Sequence, residues 1–177
     1  MSGITVNTRF DQALRALIVV LLAGMVWVNY DVFRERMVVV GDRAPNFEIT
    51  TDNGRTISPK NFGGKVLVLN FWATWCPPCI DELPSLNQFQ KAMKDKGVVV
   101  LGVSIDQNEK AYEQFLKRWQ LSFLTARDQG KHINLEYGTT KVPETYIIDS
   151  NGQVQRKIIN ARDWMDPEML RDVESLL

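Results

Sequence analysis

Phe71-Trp72-Ala73-Thr74-Trp75-Cys76-Pro77-Pro78-Cys79 holds both cysteines of a 177-residue chain. It follows a continuous apolar run, Val66-Leu67-Val68-Leu69-Asn70-Phe71, the pattern of a strand buried on both faces. After it, Leu83, Leu86, Phe89 and Met93 recur at helical spacing. The cysteines therefore lie where a buried strand passes into a helix. That is the carboxyl edge of a sheet, where open α/β sheets carry their sites.

A cysteine pair at this spacing can bind metal, attach haem or cycle between dithiol and disulfide. Haem attachment needs a histidine after the second cysteine, and Ile80 stands there. Zinc would need two more ligands; the chain has one histidine, His132, and no second cysteine pair. No metal ligand set is expected, and no cofactor. A static disulfide closing so short a loop would constrain the unfolded chain little. Redox chemistry fits best. A helix starting at or just after Cys76 offers unpaired N–H groups and the positive end of its dipole to a thiolate. Cys76 is then the attacking sulfur, and Cys79, one turn in, resolves the mixed disulfide. Pro77 is tolerated in a first turn, where its missing N–H would be unpaired anyway.

Working outward, Phe47 and Ile49 alternate, Asp52-Asn53-Gly54 makes a turn and Thr56-Ile57 resume, which predicts a hairpin. Ser58-Pro59 reads as a helix cap with a first-turn proline. Val98 to Ile105 is a second buried strand, and Tyr112, Phe115, Leu116 and Trp119 mark an amphipathic helix. His132 falls on a short polar helix and reads as solvent-exposed. Thr145–Asp149 and Val154–Ile159 flank the turn Ser150-Asn151-Gly152-Gln153. Asp166-Pro167 caps a last helix. The expected order is hairpin, βαβα, a short helix, ββ and α, an α/β fold with a mixed sheet and helices on both faces. Trp119 and Trp164 read as core.

The N-terminus carries a separate element. Residues 16–30 have no charge and are mostly apolar, and Arg15 and Asp31 bound them. Fifteen helical residues span roughly 22 Å, and the flanking apolar residues stretch this to about 31 Å, against a hydrocarbon core of ~30 Å. Trp27 and Tyr30 stand where an interfacial aromatic belt would be. A signal anchor in the lipid bilayer is expected over 16–30. A cleaved signal with secretion is the alternative, although no A-x-A cleavage site follows. Residues 1–15 form a short flank, 31–41 a linker and 42–177 one domain. Arginines on both sides leave orientation open. The 21 basic and 21 acidic side chains cancel, so nothing suggests a nucleic-acid partner.

The motif around the cysteines resembles the thioredoxin-fold signature F-W-A-x-W-C-x-x-C. Pro84 matches the proline that kinks the active-site helix of that fold, and Val142-Pro143 matches its cis-proline loop. The resemblance covers 42–177. Within the superfamily the chain is similar to the membrane-anchored TlpA/ResA/CcmG (DsbE) group of thiol–disulfide oxidoreductases, through its N-terminal segment, its extra N-terminal hairpin and the stretch Val142-Pro143-Glu144-Thr145-Tyr146-Ile147-Ile148-Asp149.

The resemblance implies a tethered extracytoplasmic reductase acting in cytochrome c maturation. Its client would be an oxidised C-x-x-C-H segment of apocytochrome c, and its electron donor a membrane protein of the DsbD/CcdA type. It also implies that Cys76 and Cys79 form the redox-active disulfide, that Pro143 is cis, and that Val142 main-chain groups pair with an extended client. Trp75 and Glu144 are further candidate client contacts. Thioredoxin carries an aspartate immediately before F-W-A, and here that residue is Asn70, which cannot ionise. Glu82, three residues after Cys79, matches the acidic residue on the active-site helix of ResA- and CcmG-like proteins. It shares a helix face with Cys79 and is the expected proton acceptor, with a raised pKa. A carboxylate there would also raise a neighbouring thiol's pKa, which favours a reductant over an oxidant. Two other functions stay open: a thioredoxin-like peroxidase, whose T-x-x-C motif is not seen, and a copper-binding metallochaperone using the cysteines alone.

Overall fold

The computed structural model describes residues 8–34 and 37–177. The N-terminal flank before Thr8 and residues 35–36 of the expected linker lie outside them. The chain divides into two compact units, residues 1–36 and 37–177.

In the first unit, helix α1 runs Thr8–Arg34. Its stretch Asp11–Tyr30 is long and apolar enough to cross a membrane, a test that a signal sequence also passes. The apolar side chains of this stretch are exposed, among them Leu21, Val26 and Trp27. The amide of Asn29 donates to the Met25 carbonyl oxygen one turn back (2.7 Å), so this polar side chain is satisfied within the helix.

The second unit is built on strand β3, described below. The N-terminal hairpin is β1 (Ile49–Thr50) and β2 (Thr56–Ile57), paired antiparallel as a separate small sheet. The main sheet contains β3 (Val66–Trp72), β4 (Val98–Ser104), β5 (Leu124–Arg127), β6 (Glu144–Asp149) and β7 (Val154–Ile159), in the spatial order β5-β4-β3-β6-β7. Strands β3, β4 and β5 are parallel, and β6 and β7 run antiparallel. Helices are α2 (Pro77–Met93), α3 (Glu109–Trp119), α4 (His132–Glu136) and α5 (Pro167–Glu174).

All seven residues of β3 are buried, as a strand covered on both faces requires. Val66, Val68 and Trp72 pack with Leu83, Leu86, Phe89 and Met93 of α2 and with residues of α3 and α5. Leu67, Leu69 and Phe71 face the other way, against Tyr137, Tyr146, Ile57 and Phe62. The chain steps in one direction across the sheet from β3 to β4 to β5, so crossovers of one hand place α2 and α3 on the same face. Short α4 serves the opposite face through Ile133. Residues 37–41, read as the end of a linker, are held to this body. Val38 is buried, its N–H donates to the Tyr137 carbonyl oxygen (3.2 Å), and the Gly41 N–H donates to that of Val154 (2.9 Å).

Two expectations need correction. Residues 58–61 form a turn rather than a helix. Ser58 and Asn61 exchange both backbone hydrogen bonds, and the Ser58 hydroxyl accepts from the Asn61 N–H, as in a cap. The two glycines at 63 and 64 then carry the chain into β3 before a helical turn can propagate. The edge strand β5 was not anticipated; four residues are too short for a period to show.

Gly102 on β4 leaves room for two rings to approach its backbone. A Cβ there would stand 2.9 Å from Phe123 Cε2 and 3.0 Å from Trp72 Nε1. Gly102→Ala is therefore expected to destabilise the fold by about 1–3 kcal/mol through overpacking, as measured by urea denaturation.

Candidate functional site

The site begins where β3 ends. Cys76 is the N-cap of α2, with extended backbone at φ −100° and ψ 102°. Pro77 and Pro78 follow and have no N–H. The first N–H of the helix thus belongs to Cys79, and it donates to Cys76 Sγ at 3.3 Å. The helix N-terminus so aims a hydrogen bond and its dipole at this one sulfur. The two cysteines form a disulfide. Cys76 is 4% exposed and Cys79 is fully buried, so only Cys76 can be reached from outside.

The loop before Cys76 is clamped by Asp106, a buried residue just beyond β4. Its carboxylate accepts from the Thr74 N–H (2.9 Å), the Thr74 hydroxyl (2.7 Å) and the Ser104 hydroxyl (2.6 Å). Sequence reading missed Asp106. A carboxylate directly after a buried strand, at the sheet's carboxyl edge, was the available signal. Trp75 points out of this clamped loop and is 62% exposed.

Antiparallel pairing of β3 with β6 sets Asn70 opposite Thr145 and Phe71 opposite Glu144. The Val142–Pro143 loop, immediately before β6, therefore lies beside the end of β3. The Val142–Pro143 peptide bond is cis. Pro143 is buried and Val142 half-buried, and the Val142 carbonyl oxygen lies 3.5 Å from Cys76 Sγ.

The two glutamates singled out in the sequence are both buried, in different surroundings. Glu144 makes an ion pair with Lys157 (2.8 Å) and lies 2.6 Å from the Tyr146 hydroxyl. Burial, and then this bond to Glu144, push the Tyr146 phenol well above its ordinary value. The Lys157 ammonium also donates to the Val38 carbonyl oxygen (3.0 Å). The Glu144 side chain is thus turned inward and braces the strand that follows Pro143.

Glu82 is 3% exposed on α2. Its Oε1 accepts from Asn70 Nδ2 (2.8 Å), and its Oε2 from the Arg162 N–H (3.2 Å) and Trp164 Nε1 (3.4 Å). Burial dominates and holds this carboxyl above the ordinary glutamate range, while the three donors pull it back. The segment after β7 is pinned here by a second contact, the Trp164 N–H to Ser85 Oγ (3.1 Å). Trp164 does sit in the core, packed on Phe89, but its indole N–H serves the buried acid, a role that its apolar character conceals. His132 is exposed. Among the described residues, no group of three His, Cys, Asp or Glu side chains could hold a metal ion.

This arrangement is a dithiol–disulfide centre on a thioredoxin-like fold. Residues 40–157 match the AhpC/TSA family. Thiol-disulfide oxidoreductase ResA of Bacillus cereus (strain ATCC 10987 / NRS 248) is 36% identical over 147 residues, covering 81% of this chain and 85% of the relative. Thioredoxin-like protein YneN of Bacillus subtilis (strain 168) is 35% identical over 147 residues, covering 80% and 86%. The crystal structure of a protein assigned as thiol:disulfide interchange protein DsbE from Chlorobium tepidum superposes with a TM-score of 0.72 at 29% identity, covering 78% of this chain and 98% of that one. StoA from Bacillus subtilis gives 0.63 at 26%, covering 75% and 96%. The chain belongs to the AhpC/TSA family of thioredoxin-like proteins, and within it to the ResA/DsbE-type thiol–disulfide oxidoreductases. It is an enzyme that exchanges disulfides with a client protein.

The raised pKa of Glu82 has a thermodynamic consequence. The folded chain holds this proton more tightly than the unfolded chain does. The stabilisation is complete below about pH 4.3, the ordinary glutamate value, and is lost as pH rises through the raised one. Relative to Glu82→Gln, which cannot titrate, the wild type is expected to lose stability with rising pH across that window. Urea denaturation at a series of pH values measures it; a difference that stays flat would contradict the assignment.

Proposed function

We propose that the chain is a membrane-tethered extracytoplasmic reductase that returns client disulfides to dithiols, with the C-x-x-C-H segment of apocytochrome c as its client class. The observation that carries the reading is the asymmetry of the pair: Cys76, capped by a helix N-terminus, keeps the little exposure the pair has, and Cys79 has none. Its likeness to ResA- and DsbE-type relatives and the apolar helix α1 support the cellular assignment.

In the reduced enzyme the Cys76 thiolate attacks one client sulfur. The client S–S bond breaks, a mixed disulfide forms and a client thiolate leaves. Cys79 then gives its proton to Glu82, and its thiolate attacks Cys76 Sγ. The second client thiolate departs, leaving the Cys76–Cys79 disulfide, and two electrons have passed to the client. A dithiol donor of the DsbD/CcdA type in the membrane restores the reduced pair. Extended client chain lies along Val142, whose main-chain groups add a strand-like contact. Trp75 packs on the client, and Glu144 acts indirectly by bracing the cis-proline loop.

Prereduced protein is expected to reduce an oxidised C-x-x-C-H peptide. Cys76→Ser should abolish this. Cys79→Ser should accumulate a covalent enzyme–peptide adduct, seen by mass spectrometry. A reduction potential of about −120 mV, the strongly oxidising end of the thioredoxin-like range, would overturn the assignment as a reductase.

A further inference from the structure

A carboxylate that takes up a proton changes one oxygen from acceptor to donor. The surroundings of Glu82 match only the ionised state. Asn70 Nδ2, the Arg162 N–H and Trp164 Nε1 all donate to it. The proposed mechanism needs the protonated state as well, once Cys79 has given up its proton. None of the three groups bonded to the carboxylate can accept from that new O–H in the present arrangement.

Asn70 holds an unused acceptor. Its Oδ1 is buried and has no hydrogen-bond partner among the described residues. A buried acceptor left without a donor is costly and needs a reason. The amide is pseudo-symmetric. Turned over about Cβ–Cγ, it would put Oδ1 where Nδ2 now stands, 2.8 Å from Glu82 Oε1 and 2.9 Å from Thr145 Oγ1. The Thr145 hydroxyl accepts from Nδ2 now, and by rotating its hydrogen it donates to Oδ1 instead. Asn70 and Thr145 are cross-strand partners in the centre of the sheet, so their spacing survives the exchange. The bonds to Glu82 and Thr145 are then kept in both protonation states without backbone movement, and the unpartnered position passes from Oδ1 to Nδ2.

We propose that Asn70 is a proton-linked positioning residue whose amide donates to ionised Glu82 and turns over to accept from protonated Glu82. This rests on the reading of Glu82 as the proton acceptor for Cys79. An aspartate at 70 would lose the donor, and a leucine would lose both. The other charged groups around Glu82 line an open pocket of about 480 Å³. They are Asp81 on its own helix and Arg162 and Asp163 from the segment after β7. From the sheet, neutral Asn70 bonds to it, and Asn70 is bonded in turn to neutral Thr145.

The test uses the full chain in its disulfide form, where neither cysteine titrates. Nuclear magnetic resonance follows the Glu82 side-chain carboxyl carbon and the Asn70 amide group as pH is varied. Both are expected to change with one midpoint, and contacts from the Asn70 amide protons to the Thr145 side chain should weaken on the acid side. In Glu82→Gln the Asn70 amide should ignore pH. A titrating Glu82 beside an amide that keeps its Thr145 contacts would overturn the proposal, as would an amide still pH-sensitive in Glu82→Gln. Asn70→Leu should slow resolution of the mixed disulfide about tenfold or more; an unchanged rate would also overturn it. Failure of the underlying reading shows separately, as Glu82→Gln resolving the mixed disulfide at the wild-type rate with an unaltered pH profile.

Discussion

The Asp106 carboxylate takes two hydrogen bonds from one residue, the N–H and the hydroxyl of Thr74. That pair fixes the chain between β3 and α2 to the neighbouring strand β4. Everything at the site depends on where this short loop stops. It decides that Cys76 falls on the N-cap, that the Cys79 N–H meets its sulfur, and that the same sulfur faces the Val142 carbonyl oxygen. A buried carboxylate is an expensive anchor unless its oxygens are satisfied. Here Ser104 adds a third donor, and the Asp106 N–H in turn donates to the Ser104 hydroxyl.

Two other buried carboxylates flank the site, and their partners divide their roles. Glu144 has a cation, Lys157, at 2.8 Å. Removing one partner of this buried pair would strand the other's charge. Such a pair suits a brace. Glu82 has no salt-bridge partner among the described residues, only neutral donors. Burial outweighs the hydrogen bonds that stabilise its charge, so the carboxyl is held above its ordinary range, the direction that suits a group taking up a proton. Two glutamates in one small domain are thus set to different work by the presence or absence of one lysine.

The sequence made most of this legible, unevenly. Long periodic segments were secure because burial on both faces leaves a continuous apolar run, as in β3, and a one-sided helix leaves a stripe, as in α2 and α3. Four-residue β5 has no room for a period. Ser58-Pro59 carries genuine capping chemistry, but the chain behind it turns into β3 instead of propagating a helix, and a cap cannot reveal that. Cys76, Cys79, Glu82 and Pro143 stand out in the sequence because spacing and resemblance agree at them. Asp106, Arg162 and Trp164 act through contacts between segments distant in the chain, and local pattern holds no trace of those. Glu144 reads from the sequence as a candidate client contact; its buried pairing with Lys157, on another strand, leaves no local signal.

On the proposed reading, what a client meets is narrow. It finds one sulfur, one carbonyl oxygen from Val142, and a rim of Trp75, Pro77 and Pro78, all three exposed. Neither proline has an N–H, so the rim's polar recognition falls to the backbone at 142. Main-chain pairing accepts any extended segment, and an exposed indole accepts many surfaces. With no net charge to steer an encounter over distance, discrimination among disulfides must come from elsewhere. One source is the chemistry of the client's own leaving thiol, which departs faster the lower its pKa. On the proposed reading, the other is confinement: an enzyme held in a membrane by α1 meets chiefly the thiols that are brought to that surface, and proximity raises their effective concentration without any added contact.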